Sequence, residues 1–358
     1  MRTTSEVIMD RFKEDFGKAL TSGYDFSHGS LTMVPFPDAV KVWGGVQTPL
    51  LDRIGDERAV AITDKWEDAQ VSAVAENAQV EGIKGRTLTG VSVLPVVRTN
   101  TCQIASDYIP ITGSAIREAR NGVYGRALQD LLQFQVNIHL PQMVASIAWS
   151  AWFSVEVTAE SAAEGSARKM AGLVGTVGSA GFDDGLLTTT GRATVTDGSG
   201  GEFTQSMLDN WLMTIAAAGA GAANLPTALY CSLTAQAKLA TFDNTLPVES
   251  IRQAGGDIMA GSRVTKYWAP WGAALDIVWE PQNAHSGTAA NNWIAALCEP
   301  NLAMRSLSGS PTESGIELIP LPVEGDQSEV QFLWEGCVKA EVWKGHGVLK
   351  NFTVTLPS

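Results

Sequence analysis

Charge is what this sequence has least of. Asp, Glu, Lys and Arg together make up 18% of the 358 residues, against about 25% in an ordinary soluble protein. Cations are the scarcer sign, since 25 Lys and Arg face 38 Asp and Glu for a formal net charge of −13. A role that depends on neutralising phosphates is excluded, because nucleic-acid binding rests on Lys and Arg displacing counterions. Cysteine is sparse as well. Cys102, Cys231, Cys298 and Cys337 contain no Cys-x-x-Cys pair, which removes zinc ribbons and redox dithiols; they read as reduced and buried. No unbroken apolar run is long enough to cross a bilayer, and residues 1–25 mix charges of both signs without an apolar core of signal-peptide length. These absences imply a protein made and used in a reducing, aqueous compartment.

What is present is apolar and aromatic. Hydrophobic residues reach 45% and there are 11 Trp, so the chain can bury a real core in two or three lobes. Few charges with many large aromatics also describe a surface covered by partners, since interface cores lose charge and gain Trp, Tyr and Phe. The longest helical periodicity covers 113–156, where Val123, Ala127, Leu128, Leu131, Leu132 and Val136 fall on one face and Met143, Val144, Ile147, Ala148, Ala151 and Trp152 resume it. Asn121-Gly122 weakens the first turns, and Pro141 predicts a bend.

Along the rest of the chain, 5–19 reads as a short helix or an arm, Thr48-Pro49 as a helix start, and 59–63 as a strand. The Val- and Thr-rich stretch 70–98, turning at Gly82 and Gly85, reads as a long β-hairpin. Alone in water it would be unstable, so it needs a surface to lie on. Glycines recur every third residue from Gly172 to Gly181, which reads as loop, and the Thr- and Gly-rich 185–201 reads as a loop or a short flexible hairpin. Helices follow over 204–218 and, capped by Thr234, over 234–242. Strands are expected over 226–232, 264–267, 275–279 and 293–297. The segments 330–334, 338–343 and 347–354 read as a closing antiparallel meander.

Chemistry is hard to find. His28, His285 and His346 sit in Gly-bearing turns or loops and His139 lies in the long helix, none with a local nucleophile or metal-ligand spacing. The glycine run lacks both phosphate-loop fingerprints, and Asp183-Asp184 has no third ligand at a useful distance in sequence. No catalytic, cofactor-binding or metal residue is assigned.

The order of the pieces carries more. Thr48-Pro49-Leu50-Leu51 with Ile54-Gly55, Trp66 with Asp68, Glu81-Gly82 in the hairpin and Asn100-Thr101-x-Gln103-Ile104 before the long helix form a collinear series. It continues with Arg168 and Gly172-Leu173, Val264-x-x-Tyr267, Trp271-Gly272, Asp276-Ile277-Val278, Gly325-Asp326, Trp334-Glu335 and His346-Gly347. The series resembles major capsid proteins of tailed bacteriophages with the Hong Kong 97 fold, nearest the SU-ten-like branch, over nearly the whole chain.

That resemblance implies an α+β fold with a long spine helix and an extended loop. It implies an N-terminal arm (1–47), a peripheral domain beginning at 48–65, the extended hairpin loop (66–98), the peripheral domain with the spine helix (99–164), an axial domain (165–322), and C-terminal strands (323–358) returning to the peripheral domain. It implies hexamers and pentamers of an icosahedral shell assembled in the host cytoplasm, enclosing double-stranded DNA without sequence-specific binding. No catalysis, cofactor or membrane is involved, and scaffold, portal and decoration proteins are further partners. By resemblance, Trp66, Glu81, Lys84 and Arg86 on the hairpin and Arg117 and Arg120 at the head of the spine helix lie at subunit interfaces. Lys84 is not taken as a crosslink donor, since no Asn can be paired to it. An acidic wall also suits a container past which DNA must slide. The rival from another class is a soluble α+β enzyme or binding module with a site dispersed over loops; a lesser one is the encapsulin nanocompartment, which shares the fold.

Overall fold

The computed structural model describes residues 47–68, 95–115, 131–158, 168–175, 185–189, 192–218, 221–242, 245–246, 266–281, 292–307, 315–321 and 327–355. Its elements in chain order begin with α1 (Pro49–Arg53), β1 (Gly55–Arg58), β2 (Thr63–Asp68), β3 (Val96–Thr101), β4 (Gln103–Thr112) and α2 (Leu131–Phe153). Next come β5 (Thr194–Asp197), α3 (Gln205–Ala217), β6 (Ala228–Cys231), α4 (Leu233–Leu239), β7 (Thr245–Leu246), β8 (Lys266–Trp268) and β9 (Ala274–Trp279). The chain closes with β10 (Trp293–Leu297), β11 (Leu302–Ser306), β12 (Glu317–Pro320), β13 (Gln327–Ala340) and β14 (Gly347–Lys350).

Two sheets divide the molecule. The first has five strands in the order β1-β11-β13-β12, with β4 along the other edge of β13. β13 is its axis: ten of its residues, Gln327 to Gly336, pair antiparallel with β4, while β12 and β11 share its opposite edge. The second sheet runs β5-β14-β10-β6-β9-β8-β7. Its strands β10 and β6 are apolar and buried at every position, as buried-on-both-faces strands should be. The alternation of side chains across a strand sorts them cleanly: Tyr230, Trp293, Ala295, Leu297 and Val348 join the core shared with α2 and the first sheet. Leu229, Cys231, Ile294, Ala296 and Leu349 join a second core under α3 and α4.

The helix α2 spans 23 residues and runs through Pro141 without a break, about 35 Å at 1.5 Å per residue. Pro141 sits on the exposed side, so the proline removes a hydrogen bond where water can replace it. Val136, Met143, Ile147, Ala148, Ala151 and Trp152 are buried as the periodicity predicts, Leu140 joins them, and Val144 of the predicted stripe is only partly buried. Residues 113–115 are also helical; the head of the expected spine helix, 116–130, lies outside the described residues.

The structure corrects several expectations. Residues 59–62 are not a strand but a short connection between β1 and β2, with Val60 89% exposed. The second core helix begins one residue earlier than expected, because Ser232 and not Thr234 caps it, accepting from the Ala235 N–H. The Thr- and Gly-rich stretch contains β5, which pairs parallel with β14. The closing segments are not a meander. Residues 330–334 and 338–340 belong to one 14-residue strand in the first sheet, whereas β14 inserts between β5 and β10 of the second. The switch is a tight turn with Val342 at φ 46°, a strained conformation for a β-branched residue, which folds Trp343 back so that its indole N–H donates to Ala340 O at 2.6 Å.

Candidate functional site: the ribbon of β2 and β3

β2 and β3 form a separate two-stranded ribbon, paired from Thr63 with Thr101 to Asp68 with Val96. It is the base of the hairpin expected from sequence, and the loop's body, 69–94, lies outside the described residues, as do Glu81, Lys84 and Arg86. Arg117 and Arg120 are likewise outside them. Of the six residues placed by resemblance, Trp66 alone is described. It is 5% exposed and its indole donates to Ala340 O at 3.1 Å, so within the subunit it fastens the ribbon to the end of β13.

Three further devices hold the ribbon. Asn100, fully buried, donates from Nδ2 to Ala171 O (3.1 Å) and Val338 O (2.6 Å), and its Oδ1 accepts from the backbone N–H of Ala171 (2.8 Å) and of Thr101 (2.9 Å). One amide thus uses both donors and its acceptor to join β3, the 168–175 segment and β13. The segment itself can approach because residue 172 is glycine: a Cβ there would lie 2.7 Å from the Trp152 carbonyl. On the outer end, the Arg98 guanidinium lies 3.7 Å from the Trp343 ring centre and Arg192 lies 4.1 Å from the same ring, while Arg98 also pairs with Asp68 at 3.4 Å. Cations over Trp faces gain from the ring quadrupole.

The third device is ionic. Arg305 on β11 donates to Glu57 Oε2 (2.8 Å) and to Asp64 Oδ2 (2.6 Å), and Lys339 on β13 contacts Glu57 at 3.0 Å and Glu341. The two cations raise no solitary charge in the interior: Asp64 is 2% exposed and finds its partner there. Hydrogen bonds from Lys339 and Arg305 outweigh burial and hold the Glu57 carboxyl below the usual range. Around this scaffold stand Ile62, Val96 and Val97, each about half exposed, next to the fully projecting Val60.

Elsewhere the two described histidines, His139 and His346, are structural, and His28 and His285 lie outside the described residues. His139 pairs with Asp107 at 2.9 Å. His346 is completely buried; its Nδ1 accepts from the Cys298 N–H at 3.2 Å and its Nε2 donates to Glu341 O at 3.0 Å. Burial pushes this imidazole down to about 4. The folded state therefore holds it neutral, while the unfolded chain takes up a proton near the ordinary value. Stability from this group is intact above about pH 6.5 and is lost as pH falls toward 4, on the order of 3 kcal/mol in all. Urea unfolding at near-neutral and mildly acidic pH should show that loss in the native sequence and a smaller one in His346→Gln; equal losses would contradict it. Among the described residues no group of three or more His, Cys, Asp and Glu side chains is arranged to hold a metal, and no helix is long and apolar enough to cross a membrane.

What the geometry offers is a firm attachment of the β2–β3 ribbon to the five-stranded sheet. The sequence matches the family model described as SU10 major capsid protein over residues 21–353. No functionally curated protein matches it. Among solved structures it is similar to the capsid asymmetric unit of cyanophage A-1(L), at 12% identity and a TM-score of 0.57, covering 89% of this chain and 96% of that one. It is similar to the capsid of Myoviridae phage XM1, at 9% identity and 0.53, covering 90% and 100%. It is similar to the holo-SrpI encapsulin complex of Synechococcus elongatus PCC 7942, at 12% identity and 0.50, covering 92% and 94%. These structural likenesses establish the Hong Kong 97-type α+β fold. The family match establishes the role: the chain belongs to the SU10 major capsid protein family, as a non-enzymatic structural subunit of a tailed-phage capsid and a component of the virion.

Proposed function

We propose that this subunit assembles with copies of itself into hexamers and pentamers of an icosahedral shell around packaged double-stranded DNA, and that the loop 66–98 is the arm by which neighbours engage. The observation that carries this reading is the ribbon root. Two strands are bolted to the five-stranded sheet by Trp66, Asn100 and the Arg305 network, yet Val96, Val97 and Ile62 beside them stay exposed. A rigid mount with apolar flanks is what a part that docks on a neighbour requires. In this reading the five-stranded sheet with α2 is the peripheral domain and the seven-stranded sheet with α3 and α4 the axial one. The C-terminal 323–358 then serves both, because β14 lies in the second sheet. Glu81, Lys84, Arg86, Arg117 and Arg120 are the interface residues proposed; Trp66 acts from inside. Scaffold, portal and decoration proteins are the further partners of such a shell.

Deleting residues 79–88 tests the arm. Light scattering and negative-stain images should show smaller units in place of shells or capsomer rings, with the melting transition of the subunit kept because the root is untouched. Assemblies of unchanged size would show that the loop is not the arm.

A further inference from the structure

The widely spaced cysteines form a pair that local spacing could not reveal. Gln103 on β4 pairs with Gly336 on β13, and continuing that antiparallel register by one residue sets Cys102 opposite Cys337. Their sulfurs lie 3.8 Å apart, both fully buried. Directly opposite strand residues are near enough for a bridge after a modest movement, since a disulfide brings the sulfurs to about 2.05 Å. The remaining two thiols stand elsewhere, with Cys231 against Val278 O in the second core and Cys298 beside His346.

We propose that Cys102 and Cys337 are an oxidation site, converted by a hydroperoxide into a cross-strand disulfide that staples the root of the loop to β13. The approach is short. Against Cys102 lies the 59–62 connection, whose Ala61 carbonyl is 3.5 Å from Sγ and whose Ile62 carbonyl accepts from the Cys102 N–H at 2.7 Å. Val60, Ala61 and Ile62 are exposed, so lifting three residues of surface chain admits a small oxidant. Cys102 is the nucleophile, because it lies against the exposed 59–62 connection whereas Cys337 sits within β13 opposite Arg305 of β11; the neighbouring Cys337 sulfur also favours the Cys102 thiolate, whereas burial pushes Cys231 up to about 12. The Cys102 sulfur attacks the peroxide, breaking the O–O bond; one oxygen remains as the sulfenic acid and the other leaves as an alcohol or water. Cys337 then attacks the Cys102 sulfur, the S–S bond forms and water departs. Two thiols lose two electrons and the peroxide gains them.

The test treats the purified full-length chain with hydrogen peroxide near neutral pH, quenches with acid, alkylates under denaturing conditions and maps peptides. Free thiols should fall from four to two per chain, with a Cys102–Cys337 linked peptide that dithiothreitol reverses. Cys102→Ser or Cys337→Ser should abolish the link, and the Cys231→Ser/Cys298→Ser double variant should keep it, which guards against a misfolded single variant. Four surviving thiols, a sulfinic acid at Cys102 without a bridge, or links between chains would each overturn the proposal.

Discussion

Asn100→Ala is expected to remove about 4 kcal/mol of stability, the sum of several buried backbone groups left short of a partner at roughly 1–3 kcal/mol each, softened by relaxation. The wild-type amide closes four hydrogen bonds to Ala171, Thr101 and Val338 with no access to water. Against a typical total of about 5–15 kcal/mol, such a loss leaves little soluble folded chain. Asn100→Asp should do no better, because a carboxylate keeps the acceptor but loses both donors and adds a buried charge. Urea unfolding of whatever chain is recovered measures the effect. A loss below about 1 kcal/mol would show that β3 is held by other means.

Trp152→Ala is expected to cost about 3–5 kcal/mol, the usual range for emptying an aromatic site in a core. Trp152 is fully buried at the end of α2, with ring centres 4.9 Å from Trp293 and 5.5 Å from Tyr230. Phe153 adds a 5.8 Å contact with Trp293. This cluster is where the long helix grips the face of the seven-stranded sheet, so its loss loosens one lobe from the other. A second tie between the lobes is ionic: Arg53 donates to Glu299 and Asp276, and Tyr230 donates to Glu299 at 2.6 Å. The Arg53–Asp276 pair, partly exposed on both sides, contributes little. Trp152→Phe, which keeps most of the ring contacts, should cost well under half as much; chemical unfolding of both variants separates packing from a mere change of sequence.

Periodicity made the cores legible. The stripe of α2 and the apolar strands β6 and β10 stand in the sequence because burial on one helix face or on both faces of a sheet writes a local pattern. The single strand β13 was less visible, since Glu335-Gly336 reads as a break. The glycine is there for a different reason: a Cβ at 336 would sit 2.5 Å from both the Arg305 carbonyl and the Trp334 ring, so the strand needs a gap in its side chains and not a turn. β5 was hidden because a four-residue strand in a Thr- and Gly-rich stretch depends on the partner strand β14, about 150 residues away, for its identity. The root of the loop was only half legible. Trp66 and Asn100 could be picked out by their place in a collinear series, but the bonds they make cross more than 200 residues to reach β13. The Arg305 network and the cysteine pair likewise join residues more than 200 apart, and no local spacing records them.

In the proposed assembly, copies of this chain build the shell and the loop 66–98 is the arm by which they engage. Negative-stain imaging of the purified full-length chain, with light scattering across protein and salt concentration, tests it most directly. Closed shells, sheets or capsomer rings are the expected result. Compact monomers or dimers under every condition would contradict self-driven assembly.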